Sequence, residues 1–206
     1  MKEYMTVKKS SATEFSEKRS RFIGSAFPVS SREEAESIIS ETKSKFWDAK
    51  HNVYAYILRD GNIKRFSDDG EPQGTAGMPV LDVLEKQQLY DVLVIVTRYF
   101  GGVLLGTGGL VRAYSHSAAL AVEAAEPVCM APVIEAEFSC DYSSYGILQT
   151  FLNNRECKEI NSTFEDDVNI SFCVKAENYD SFEKAFIEQT NGKIKLTKIS
   201  EKYLPY

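Results

Sequence analysis

Between Asp91 and Ala118 the chain reads DVLVIVTRYFGGVLLGTGGLVRAYSHSA, and this segment restricts the fold more than any other. Asp91–Thr97 is apolar on both faces, the pattern of a central, buried strand. It runs into a loop with glycines at Gly101, Gly102, Gly106 and Gly108, and Gly109 opens a helix reaching about Ala125. Ala113, Ser117, Ala121 and Ala124 give that helix a small-residue face suited to close packing on a sheet. A strand–loop–helix of this kind brings main-chain N–H groups and the positive end of a helix dipole to one place. Arg98 and Tyr99 lead into the loop, and Arg112 and His116 lie i, i+4 on one helical face. Together they form a candidate anion- or RNA-binding cradle. The same glycines also suit a tight turn with positive φ and close helix–sheet packing, and that structural reading stays open. Neither GxxxxGK[ST] nor the GxGxxG spacing is present.

Upstream, SRFIGSAFPV (20–29) reads as a strand, and Ser30 and Ser31 cap a helix with Glu33 and Glu34 in its first turn. Ala35, Ile38, Ile39 and Phe46 supply that helix's apolar stripe. Asn52–Leu58 is strand-like, and Asp60-Gly61-Asn62 turns it into a hairpin with Ile63–Phe66. Tyr54 and Tyr56 share one strand face and read as core; Tyr99 and Phe100 fit either core or base stacking. The stretch Ser67–Pro79 holds three glycines, two prolines and three acids in thirteen residues, and reads as a long surface loop. A helix follows, with Val80, Leu81, Val83 and Leu84 facing inward.

That loop carries the second constellation, Asp68, Asp69 and Glu71, with His51 at the start of a preceding strand. Carboxylates with a histidine can share a proton or hold a cation. Equally, they can cap turns and pair with Arg59 or Arg65. With two histidines in the chain a His-rich site is excluded. The four cysteines (Cys129, Cys140, Cys157, Cys173) form no CxxC pair and read as reduced core residues. No metal site, cofactor motif or catalytic residue is assigned.

The formal net charge is −6, and it is unevenly shared. Residues 1–130 hold 16 Lys and Arg against 17 Asp and Glu; residues 131–206 hold 8 against 13. Nucleic-acid affinity comes largely from neutralising phosphates, so any such contact must be a local basic patch in the first segment. Lys8, Lys9, Lys18, Arg19, Arg21, Lys43, Lys45, Lys50, Lys64 and Arg65 are available for it. There is no apolar N-terminal leader and no run near the ~18 apolar residues of a membrane span. A cytoplasmic location is expected.

AEPVCMAP, with Pro127 and Pro132, reads as a linker between a domain at 1–130 and another at 131–206. Beyond it come a strand at 133–140, a helix at about 143–154 capped by Asp141 or Ser143, and strands at about 157–164 and 168–175. A helix at 179–189 with Asp180 as its cap, a stop at Asn191-Gly192 and a last strand KIKLTKIS complete the order β-α-β-β-α-β. This is the ferredoxin-like pattern.

SRFIGSAFPV, HNVYAYIL, SDDGEPQGTAGMPVLDVLE and DVLVIVTRYFGGVLLGTGGLVRAYS together resemble the IMPACT/YigZ family over about residues 15–125. The tail from about Glu135 resembles the accessory C-terminal domain of its bacterial members. The resemblance implies an α+β protein: an N-terminal α/β domain similar to the second domain of ribosomal protein S5, then a ferredoxin-like domain similar to the fifth domain of elongation factor G. Eukaryotic members restrain a starvation-responsive translation kinase and carry an added RWD domain. This chain starts almost at the family domain, so that role is not expected to transfer.

Three functional readings follow. The first is a non-enzymatic, RNA- or ribosome-associated protein, a modulator of translation, centred on Arg98, Arg112 and the Gly loop. The second is an enzyme or binding protein for a small phosphorylated or nucleotide ligand at that loop. The third is a protein–protein adaptor, which an exposed apolar patch on the Gly-loop face in place of a charged cleft would mark.

Overall fold

The apolar run at Val92–Val96 lies fully buried in the middle of a five-stranded sheet. The computed structural model describes residues 2–206. It divides into two units, Tyr4–Cys129 and residues 2–3 with Met130–Tyr206. In the first, β1 (Tyr4–Val7), β2 (Ser11–Glu17), β3 (Ser20–Pro28), α1 (Arg32–Lys45), β4 (His51–Leu58), β5 (Ile63–Ser67), α2 (Gly77–Lys86), β6 (Val92–Tyr99) and α3 (Thr107–Ala124) follow in order.

The sheet order is β2-β3-β6-β4-β5, and every neighbouring pair is antiparallel. The unbroken apolar run of β6 therefore reflects cover on both faces, not a parallel sheet. Val92, Val94 and Val96 pack with residues of α2 and α3 such as Val80, Leu84, Tyr114 and Ala118. Leu93 and Ile95 pack with Val29, Ala35 and Tyr56 on the α1 side. Each fully buried aliphatic side chain contributes about 1.5–3 kcal/mol, so this strand anchors the domain. Tyr54 and Tyr56 join the α1-side core and stack at 6.5 Å, as expected. Close packing of α3 on β3 depends on Gly24, where an added Cβ would lie 2.5 Å from the Ser117 carbonyl oxygen.

Local chemistry sets the helix ends. The Ser31 hydroxyl accepts from Glu34 N at 3.2 Å, and the Glu34 carboxylate accepts from Ser30 N at 2.7 Å and from its hydroxyl at 2.8 Å. Those donors, the Ser30 N–H first, hold the Glu34 carboxyl below its ordinary range. The segment 67–79 is not the surface loop expected: α2 begins inside it at Gly77, and Glu71, Thr75 and Ala76 are buried. α3 starts at Thr107, two residues before Gly109, and its Ala124 is exposed while Ala125 is buried.

In the second unit β7 (Pro127–Cys140), α4 (Tyr142–Asn153), β8 (Lys158–Phe164), β9 (Val168–Lys175), α5 (Tyr179–Thr190) and β10 (Thr197–Pro205) give the ferredoxin-like order β10-β7-β9-β8. Residues 127–132 are strand, and the division between the two units falls among them, between Cys129 and Met130. Pro127 is the first strand residue, and Pro132 stands one residue before the β9 ladder begins at Val133, so neither missing N–H interrupts that ladder. Asp141 is the α4 cap, accepting from Ser144 N at 2.8 Å. α5 is preceded by Asn178, not Asp180, and ends at Asn191 with φ of 51°. The last strand starts at Thr197; Ile194 and Leu196 instead pack into the core with Phe172, Phe182 and Phe186. The architecture is mixed α+β in two domains. Among the described residues no helix is long and apolar enough to cross a membrane.

Candidate functional site

Strand parity aims Arg98 at the helices. Val92, Val94 and Val96 face the α2–α3 core, and Arg98 continues that row. On β4, Val53, Ala55 and Ile57 do the same, and His51 begins their row. His51 and Arg98 are direct cross-strand partners. The loop after β5 then brings Glu71 down onto them. Its side chain is 4% exposed, and its Oε1 accepts from Arg98 Nη1 at 2.6 Å and from the Tyr114 hydroxyl at 2.8 Å. His51 Nε2 lies 3.7 Å from the same oxygen, beyond hydrogen-bond range. Arg98 also donates from Nη2 to the Ser20 hydroxyl at 3.3 Å and sits 5.5 Å from the ring centroids of Phe22 and Phe100.

Two of the loop's acids serve the loop itself. Asp68 Oδ1 accepts from Ala76 N and Gly77 N at 3.1 and 2.8 Å, and its Oδ2 accepts from Gly74 N at 2.9 Å, so it caps α2. Asp69 binds Lys43 Nζ at 2.6 Å and Asn52 N at 2.7 Å. The Asp69 carbonyl oxygen accepts from His51 Nδ1 at 2.9 Å. A carbonyl only accepts, so Nδ1 carries a proton and Nε2 is the ring nitrogen left for other contacts.

His51, Glu71 and Arg98 line a cavity of about 410 Å³ with Lys50, Phe100, Leu104, Leu105, Gly106 and Thr107. Gly106, with φ of 73°, leads into α3, whose first turn carries neither a side-chain cap nor an acid. That helix end contributes unsatisfied N–H groups and a partial positive charge beside Lys50. Among the described residues the only sealed side-chain N or O atoms lacking a hydrogen bond are Arg98 Nε and Ser117 Oγ. His51 Nε2 and Glu71 Oε2, which make no hydrogen bond either, are therefore open to the cavity.

The sequence-based cradle is thus regrouped. Arg98 joins His51 and Glu71, which were expected to form a separate site. Arg112 and His116 line a different cavity of about 260 Å³ with Phe15, Lys18, Leu105 and Gly109. Both are exposed, and the His116 ring meets Phe15 edge-on at 4.9 Å. Tyr99 belongs to neither cavity: its hydroxyl donates to Asp48 at 2.8 Å, which holds the phenol above its ordinary range, and Arg21 lies 5.5 Å over its ring. Gly101 is a packing residue, because an added Cβ would fall 1.9 Å from the Arg19 carbonyl oxygen. Gly102 and Gly106 have open space around them, Gly108 has only Arg112 within 4 Å, and Gly109 packs on Leu105. Gly108 lies in the first turn of α3, not in the loop.

Tyr114, Leu104 and Thr107 were not singled out from the sequence, and Lys50 was named only among the cations available for a basic patch. Tyr114 had a signal: Leu110, Ala113, Tyr114 and Ser117 form the buried α3 stripe, and its lone hydroxyl needs a polar partner there. Burial, followed by the Glu71 charge, pushes its phenol far above the ordinary value.

Comparisons with known proteins bear on both domains. The Impact N-terminal domain matches residues 18–122, and a domain of unknown function, DUF1949, matches residues 138–193. The IMPACT family member YvyE of Bacillus subtilis is 37% identical over 193 residues, covering 92% of this chain and 88% of that protein. The IMPACT family member YigZ of Escherichia coli is 31% identical over 187 residues, covering 89% and 92%. A solved crystal structure of a hypothetical protein superposes with a TM-score of 0.62 at 28% identity, covering 97% of this chain and 98% of its own. The strand–loop–helix that builds the cavity lies inside the first of these matches, and the chain belongs to the IMPACT family.

Proposed function

We propose that the N-terminal domain binds a small phosphorylated ligand in the cavity beneath the 101–106 loop. The observation that supports this reading is the buried trio His51, Glu71 and Arg98, with two polar atoms left open to the cavity beside an uncapped helix end. Burying ionised groups is costly unless they are paired, and Arg98–Glu71 meets that condition. Lys50 and the α3 N-terminus add positive potential at the cavity, which favours an anionic ligand. Phe100 and Leu104, at 45% and 83% exposed, line the cavity, and Val103 beside them is exposed too, so the Gly-loop face also carries the exposed apolar surface that would mark an adaptor.

Isothermal titration of the full chain with inorganic phosphate and with sugar and nucleoside phosphates tests the reading. Binding that weakens about tenfold in Lys50→Ala, through loss of one charged contact, supports it. Absence of binding by every phosphate compound at millimolar concentration removes it.

A second reading, phosphate contact with RNA, is favoured by one observation. Lys18, Arg112 and His116 face the smaller cavity and make no ion pair among the described residues. Sedimentation with ribosomal particles at low salt, abolished in a Lys18→Ala/Arg112→Ala double variant, would promote it. Co-sedimentation unaffected by that variant would place any RNA contact elsewhere.

A further inference from the structure

We infer that the buried wall of the larger cavity seats a primary amino group, so that the ligand is an amine carrying a phosphate at its other end. The inference rests on the phosphorylated-ligand reading above and extends it to the end away from the phosphate. The side-chain donors of that wall already serve the protein. The Arg98 guanidinium donates to Glu71 and Ser20 at 2.6 and 3.3 Å, and its Nε is sealed from solvent. The Tyr114 hydroxyl donates to Glu71 at 2.8 Å, and His51 Nδ1 donates to the Asp69 carbonyl oxygen at 2.9 Å. Two atoms remain open, His51 Nε2 and Glu71 Oε2, and both are acceptors. Their side chains are only 8% and 4% exposed, and both line the cavity.

A buried acceptor is costly to leave without a donor, and a single group that relieves two of them must bring at least two hydrogens. One hydroxyl brings only one. An ionised phosphate oxygen brings none and would meet the Glu71 carboxylate. A primary amino group brings two or, when protonated, three, and in that form it has no lone pair to set against the acceptors. Arg98 and Glu71 cancel in charge, so this wall selects by hydrogen count and leaves net charge to the rim. The rim has the opposite character. Lys50 and Thr107 are exposed there, and the uncapped first turn of α3 supplies N–H donors and a partial positive charge. The phosphate belongs at the rim and the amino group at the wall. The remaining lining, Phe100, Leu104, Leu105 and Leu110, is apolar and suits a short hydrocarbon section joining the two. A cavity of about 410 Å³ lies within the range that small ligands occupy.

The test is isothermal titration of the full chain with aminoethyl, aminopropyl and aminobutyl phosphate, the three matching hydroxyalkyl phosphates, glycerol phosphate and inorganic phosphate. At least one amino compound is expected to bind about tenfold or more tightly than its hydroxyl counterpart, which leaves a buried acceptor without a donor. His51→Asn keeps a donor for the Asp69 carbonyl and deletes Nε2, so the amino preference collapses toward equality. If that variant does not fold, the amino–hydroxyl comparison on the wild-type protein decides alone. Full preference retained in the variant overturns the part given to His51. Equal affinity for matched amino and hydroxyl compounds overturns the amino assignment while leaving phosphate binding in place. Glycerol phosphate binding as tightly as the best amine overturns it too, because two hydroxyls would then supply the hydrogens. So does binding of inorganic phosphate without binding of any amino compound. Failure of every phosphate compound, inorganic phosphate included, overturns the underlying reading as well.

Discussion

Two cavities meet at Leu105, and they use the same residue types in opposite ways. Beneath the loop, Arg98 and His51 are buried, oriented by main chain and carboxylate, and line a cavity that opens to solvent. Past Gly109, Lys18, Arg112 and His116 are exposed and make no ion pair among the described residues, and the His116 ring meets Phe15 edge-on. The difference shows that burial decides the role of a basic residue here. A buried cation beside its carboxylate fixes geometry and is insensitive to bulk salt. An exposed cation without a partner costs little to place and responds to every ion in solution.

The sharpest way to break this comparison is to remove one charge from each side. Glu71→Ala leaves Arg98 buried without its counter-ion and lowers stability by about 3–5 kcal/mol, read as a shift in the urea midpoint. Arg112→Ala changes the same midpoint by less than about 0.5 kcal/mol. Equal effects would mean that the two cavities are alike. Asp68→Ala follows in size: three main-chain N–H groups lose their acceptor, and the loop and the start of α2 loosen at a cost of about 2 kcal/mol. Hydrogen exchange at Gly74, Ala76 and Gly77 should rise in that variant and stay unchanged in β2.

Tyr114→Phe removes one donor to Glu71 and costs about 1 kcal/mol at neutral pH. Its pH signature is more telling. The folded-state pKa of Tyr114 lies above the ordinary 10.0, so the unfolded chain releases its proton first. Stability is then fully present below pH 10 and falls as pH climbs beyond it. Thermal melts between pH 9 and 11 are expected to show a shallower alkaline decline in the variant than in the wild type. The smallest effect belongs to Lys18→Ala/Arg112→Ala, which leaves the melting temperature unchanged and flattens only the salt dependence of anion binding.

Much of this architecture was readable from the residues. The two-faced apolar run of β6, the Ser31 cap, the Asp60–Asn62 turn and the β-α-β-β-α-β order of the second domain all follow from local pattern. The site was less legible, because its members come from four separated stretches that only the sheet register joins. Arg98 and His51 could have been paired by parity, since each extends a row of buried residues on its strand. Read instead as neighbours in sequence, Arg98 was assigned to Arg112 and His116. Glu71 could not be separated from Asp68 and Asp69 by type: the three acids differ only in which donors the folded loop presents to each. The prolines at 127 and 132 bracket the division between the two units and yet lie within a strand. A proline marks a missing donor, and it is harmless wherever no neighbouring strand needs that donor.

One contact described above bears on how this chain can change over generations. The partner that sets the His51 tautomer is the carbonyl oxygen at position 69, not the aspartate side chain. A main-chain oxygen is supplied by every amino acid the codon could specify. Substitutions at position 69 will therefore loosen the ties to Lys43 and Asn52 without stripping the imidazole of its acceptor. The ring's chemistry is inherited with the path of the backbone, which at position 69 has a φ of 43° and so favours the few residue types that tolerate that conformation.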